Sequence, residues 1–160
     1  MNMRREPRRF APRLLVTVAV AALTLAAVTW ADPVPPRNLG KNRLAVKGYD
    51  VVAYFTEGQA RPGDARFAFE WDGAVWLFAT AEHLELFRKD PAGYAPQYGG
   101  YCAYAVSRNY TADVDPEAWY IENGRLYLNY SLRVRETWRK DTPRNISKAD
   151  RNWPGLKGSS

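Results

Sequence analysis

From Arg66 to Ala79 apolar and polar residues follow the period of a strand. Phe67, Phe69 and Trp71 share one face, Asp72-Gly73 interrupts, and Val75-Trp76-Leu77-Phe78 follows. Such a run on both sides of Asp-Gly predicts an antiparallel hairpin, because Gly supplies the positive φ of a type I′ turn. Trp119–Ile121, Asn123-Gly124 and Leu126–Tyr130 repeat the signature and predict a second hairpin. Val51-Val52-Ala53-Tyr54-Phe55 is a short apolar run behind a turn at Gly48-Tyr49-Asp50. It is long enough for a strand and too short for its period to decide.

Helical spacing takes over at Ala81–Lys89, where Leu84, Leu86 and Phe87 form the apolar face. Thr80 is suited to cap this helix, and Glu82 and Glu85 early with Arg88 and Lys89 late suit its dipole. Asp90-Pro91 ends it or opens a second short turn carrying Tyr94. Leu132–Lys140 predicts another helix, with Val134 and Trp138 four apart. Ile146–Trp153 reads as a last helical turn stopped by Pro154-Gly155. Two hairpins and two or three short helices predict a small α+β domain, with the helices packed on a small, mostly antiparallel sheet. The βαβ rhythm of a parallel sheet is missing.

Composition supports one globular domain: 160 residues, 46% hydrophobic and 25% charged, with 14% aromatics to build its core. The net charge of +6 changes meaning once the chain is divided. Residues 1–31 hold five Arg and one Glu, and the remainder balances 18 basic against 16 acidic residues. No basic block there argues for nucleic acid.

The front end reads as an export signal. Met1–Arg13 is basic, Leu14–Val28 is an uncharged apolar run, and Ala31 is a small residue suited to precede a cut. The run is short for a membrane span. Residues 1–31 are therefore expected to be a cleaved signal peptide, with an uncleaved anchor as the alternative, and the mature chain to be periplasmic or secreted and free of the membrane. Arg4-Arg5 and Arg8-Arg9 hint at twin-arginine export but equally suit an ordinary basic leader. Residues 32–47, with Pro33, Pro35 and Pro36, read as a linker and lead-in, and residues 157–160 as a tail.

One cysteine excludes an internal disulfide and a Cys-only metal cage within one chain. Cys102 lies in Tyr98-Gly99-Gly100-Tyr101-Cys102-Ala103-Tyr104, and two readings stand: a thiolate that binds a soft metal or attacks as a nucleophile, and a buried small apolar residue. His83, the only histidine, borders the apolar face of its helix and becomes a ligand or base only if Cys102 is near. Asp113, Asp115 and Glu117 lack the EF-hand pattern and read as turn formers. Trp71, Trp76, Trp119 and Trp138 read as core rather than as a ligand cleft. Asn109, Asn129 and Asn145 each open an acceptor pattern for N-glycosylation.

Phe78–Tyr94, FATAEHLELFRKDPAGY, resembles the YHS domain, a small metal-associated module related to TRASH-type domains. Phe78, Thr80, Phe87, Asp90, Pro91 and Tyr94 match that pattern, and Gly48–Phe55, GYDVVAYF, looks like the family's opening segment. APQYGGYCAYAVS and NWPGL are similar to the family's exported bacterial branch, so the resemblance spans residues 48–156. The family's two pattern cysteines fall on Ala79 and His83 here. The resemblance thus implies a metal site of which only His83 occupies a ligand position, and a borderline one. His83 with Cys102 would be the remaining donor pair, suited to a copper ion in its Cu(I) form. Three readings follow: a non-enzymatic exported module binding a soft metal or a small ligand, a siteless interaction or scaffold domain, and a thiol-dependent enzyme using Cys102 with His83 as base.

Overall fold

The computed structural model describes residues 34–158, and both hairpins are present. β1 (Asp64–Trp71) pairs antiparallel with β2 (Ala74–Phe78), and β3 (Asp115–Glu122) with β4 (Arg125–Asn129). At the first turn Asp72 has φ 46° and Gly73 φ 74°; at the second Asn123 has φ 50° and Gly124 φ 71°. Two successive positive values are what a type I′ turn requires. Each hairpin slips register once, between Asp64 and Ala68 and between Asp115 and Trp119. Among the described residues each forms its own two-stranded sheet. The α+β class is as expected, with two small sheets in place of one.

Six α-helices accompany them among the described residues: α1 (Ala53–Thr56), α2 (Ala81–Lys89), α3 (Pro91–Tyr94), α4 (Ala103–Ser107), α5 (Leu132–Arg139) and α6 (Thr142–Leu156). α2 begins as expected, with Thr80 Oγ1 accepting from His83 N at 3.1 Å. Asp90 both ends α2 and caps α3, accepting from Gly93 N at 3.0 Å. The undecided run at Val51–Phe55 enters a helix. The reason is local: Asp50 Oδ1 accepts from Val52 N at 2.9 Å and Ala53 N at 3.4 Å, serving the donors that a first turn leaves open. α6 is much longer than a last turn. Asp141 starts it by accepting from Arg144 N, and Pro154 is tolerated inside its final turn, which closes with Lys157 N donating to Trp153 O at 3.0 Å.

Strand β4 lies between two aromatic cores. Leu126 and Leu128 face one, with Trp76, Phe78, Phe87 and Tyr54, and Tyr127 faces the other, with Trp138, Tyr98 and Val106. Ring centroids approach to 5.0 Å for both Trp76–Phe87 and Phe78–Phe87, and to 5.3 Å for Tyr127–Trp138. Burial of such rings is the main source of the fold's stability. All four tryptophans singled out in the sequence belong to these cores.

The lead-in is part of the fold rather than a linker. Ala45 and Val46 are buried, and Ala45 N donates to Val75 O at 2.9 Å. Upstream, Val34 N donates to Leu156 O at 3.0 Å and Gly158 N to Val34 O at 2.6 Å, a parallel bridge between the two ends of the domain. Asn38 N donates to Gly99 O at 2.9 Å. Gly99 has φ 60°, and a Cβ there would collide with the Pro36 carbonyl. The expected signal at residues 1–31 lies outside the described residues. Among these, no helix is long and apolar enough to cross a membrane.

Candidate functional site

His83 lies on α2 with its ring turned inward, 6% exposed. Nδ1 is 2.6 Å from Asp50 Oδ2, and Nε2 is 3.2 Å from Thr56 Oγ1 and 3.7 Å from Glu57 Oε1. Asp50 is fully buried and the hub of this cluster, because Oδ2 also accepts from Ala79 N at 2.8 Å. Its two oxygens thus join the start of α1, the end of β2 and the first turn of α2. A buried carboxylate is tolerated when its lone pairs are satisfied in this way. Thr56 Oγ1 also donates to Val52 O at 3.1 Å, so the hydroxyl closes a turn of α1. Hydrogen bonds from the Gln59 amide and the Arg61 guanidinium hold the exposed Glu57 below the usual carboxylate range.

Cys102 stands at the start of α4, 1% exposed. Its Sγ accepts from Tyr130 N at 3.3 Å, and its own N donates to Ala112 O at 3.0 Å. Burial pushes the thiol up, only partly offset by the backbone amides of Ala105, Tyr130 and Tyr104. It is therefore a neutral thiol at ordinary pH. Above it lies a groove of about 280 Å3, walled by Tyr104, Tyr110, Tyr130, Ala112 and Val134. Tyr110 and Tyr130 are 53% and 61% exposed, although large apolar rings of this domain are otherwise mostly covered. The lining carries no formal charge.

His83 and Cys102 each make their own polar contacts. No hydrogen bond joins His83 to Cys102, and their polar partners do not overlap. Both ring nitrogens of His83 have hydrogen-bond partners, and burial raises the Cys102 thiol. Among the described residues no three of His, Cys, Asp and Glu gather into a metal-holding group.

No family model, curated protein or solved structure matches the chain.

The remaining candidates have local roles. Asp113 pairs with Lys47 Nζ at 2.9 Å and accepts from Asn38 Nδ2 at 3.0 Å, and Asp115 accepts from Glu117 N at 3.0 Å. Asn129 and Asn145 are buried, so only Asn109 of the three glycosylation acceptors is exposed. Asp50, Tyr110 and Tyr130 escaped the sequence reading. For Asp50 a signal existed, since an Asp directly before an apolar run is a helix-capping position. For the tyrosines there was none, because burial of an aromatic is the default expectation and their exposure belongs to the fold.

Proposed function

We propose that this chain is an exported, non-enzymatic module of the YHS type whose ligand site is the groove over Cys102. The ligand we assign to it is a small, uncharged aromatic or apolar molecule. One observation carries the reading: two exposed tyrosines rim an uncharged groove floored by a neutral thiol. Ligand sites are concave and mostly apolar, with a few polar groups that orient the guest. An apolar cavity of about 150 Å3 takes benzene, so the larger groove has room for a bicyclic ring. Two tyrosyl hydroxyls at the rim supply the orienting groups. Export rests on the basic and then apolar leader at residues 1–28. Against a thiol enzyme stand the raised thiol and the separate commitments of His83.

An NMR titration with indole tests this. Saturable shifts on the amides of residues 102–112 and 130–134 are expected, at least ten-fold weakened in the Tyr110→Ala, Tyr130→Ala double variant. Absence of a saturable shift there refutes the site. A parallel anaerobic Cu(I) titration should find wild type and Cys102→Ser equal. Tight binding that vanishes in Cys102→Ser would overturn the small-ligand reading in favour of a soft-metal module. The near-complete burial of Cys102 favours a second reading, a scaffold without a ligand, which requires both titrations to be blank.

A further inference from the structure

The C-terminal helices carry a charge that the rest of the domain does not share. Arg133–Arg151 holds seven basic and three acidic residues, whereas the remainder of residues 32–160 holds 11 basic and 13 acidic. Folding concentrates part of that excess in a cleft of about 300 Å3 between the end of α4, the end of α5 and the first turns of α6. Arg108, Lys140, Arg144 and Lys148 line it, with Asp141 and Thr137. None of these four cations belongs to an ion pair among the described residues. Their neighbours on α5 differ: Arg135 and Arg139 are both held by Glu136, at 3.1 and 3.3 Å.

The one carboxylate in the cleft is already in use, because Asp141 Oδ1 accepts from Arg144 N to cap α6. The Thr137 hydroxyl donates to Arg133 O at 3.1 Å and Asn145 Nδ2 to Trp138 O at 3.0 Å. The four cationic side chains of the lining have no ion-pair partner among the described residues. Arg108 is also held in place before any guest arrives: its guanidinium lies over the Tyr104 ring, 4.9 Å from the centroid, and Nη2 donates to the Tyr104 hydroxyl at 3.1 Å. Four like charges around one concavity repel one another, and the first turn of a 15-residue helix adds its positive end. An anion relieves both.

We infer that this cleft binds a phosphoryl group. Two guanidinium forks and two ammonium groups suit a compact oxyanion with several acceptor oxygens and more than one charge. A monocarboxylate would leave most of the cations unanswered. The group can come from a soluble phosphate compound or from a phospholipid headgroup, and the chemistry of recognition is the same. The proposal does not rest on a ligand in the groove over Cys102, although Tyr104 both walls that groove and holds Arg108.

The test is an NMR titration of the purified chain with inorganic phosphate at fixed ionic strength. Saturable shifts confined to the amides of Arg108, Lys140–Asn145 and Lys148 are expected. The Arg144→Ala, Lys148→Ala double variant should bind at least ten-fold more weakly. Arg133→Ala with Arg151→Ala, the same charge loss outside the cleft, should change binding less than two-fold. Unsaturable shifts scattered over the basic residues, or equal losses in the two double variants, would overturn the proposal. The wild-type shift map decides the matter should the cleft variant fail to fold. Sedimentation with phosphatidylglycerol-containing and with purely phosphatidylcholine vesicles separates the sources. Retention on the anionic vesicles alone, abolished by the cleft variant, assigns a lipid headgroup. Phosphate binding without vesicle retention assigns a soluble compound. Retention on anionic vesicles that survives in the cleft variant, with no saturable phosphate shift, counts against the site.

Discussion

Replacing Asp50 by Ala should cost this domain a large part of its stability. The carboxylate has no contact with water and takes three short hydrogen bonds, from Val52 N at 2.9 Å, Ala79 N at 2.8 Å and His83 Nδ1 at 2.6 Å. A hydrogen bond to a charged group contributes about 1.5–3 kcal/mol, and stripping one partner from a buried polar pair costs about 3–5 kcal/mol. The three donors share one carboxylate and relax together, so their losses do not add, and a net loss of about 4 kcal/mol follows. Against a total of about 5–15 kcal/mol, that lowers the melting temperature by about 15 °C for a domain of this size. Asp50→Asn keeps one acceptor oxygen but turns an amide toward one of the donors, and should lose about 2–3 kcal/mol. Urea unfolding followed by circular dichroism measures both. Thr80→Ala, which removes only the cap of α2, serves as a ruler at about 1 kcal/mol. If both Asp50 variants fall within about 1 kcal/mol of wild type, the reasoning that makes this carboxylate the hub of α1, β2 and α2 is wrong.

Three further outcomes follow from the structure. Gly99→Ala should cost at least about 2 kcal/mol and speed hydrogen exchange at the Asn38 amide, because the new methyl collides with the Pro36 carbonyl; an unchanged Asn38 amide would contradict the contact. Gly73→Val and Gly124→Val meet open space, so only the positive φ is felt, about 1–2 kcal/mol each by thermal unfolding, and wild-type melting in both would contradict the turn geometry. Burial raises the Cys102 thiol, so the folded state keeps a proton that the unfolded chain releases near about pH 8.5. Stability from this source is complete below that pH and declines above it, so wild type should lose more stability between pH 8 and 10 than Cys102→Ala. Equal losses would show that the thiol does not titrate abnormally.

Local chemistry in the sequence carried most of the elements. Asp72-Gly73, Asn123-Gly124 and the Thr80 cap each act within a few residues, and each stands where the pattern puts it. The lead-in reads as a linker because of its prolines and basic residues, while the carbonyl that Ala45 N meets belongs to Val75, far along the chain. Val51–Phe55 stayed undecided because its helix is set by one side chain, Asp50, and not by periodicity. The site shows the same limit. The buried, inert environment of Cys102 was one of the readings open from its aromatic neighbours. That the His83 ring meets Asp50 and Thr56 was not legible, since these residues stand far from it in sequence and come together only in the folded chain. The cationic cleft is the clearest case: Arg108 is remote from Lys140, Arg144 and Lys148 in sequence, and acidic residues between them hide the charge that folding collects.

The bridge between Val34 and Lys157 has a mechanical meaning. The two segments run parallel, so a pull applied upstream of Val34 and downstream of Gly158 drags them past each other in opposite directions. The Val34 N–Leu156 O and Gly158 N–Val34 O bonds are then loaded in shear and must yield together rather than one after the other. Behind them the Asn38–Gly99 bond takes up the remaining load. Under tension from its ends, the domain therefore meets force first at this clasp, and the two hairpins are reached only after it has given way.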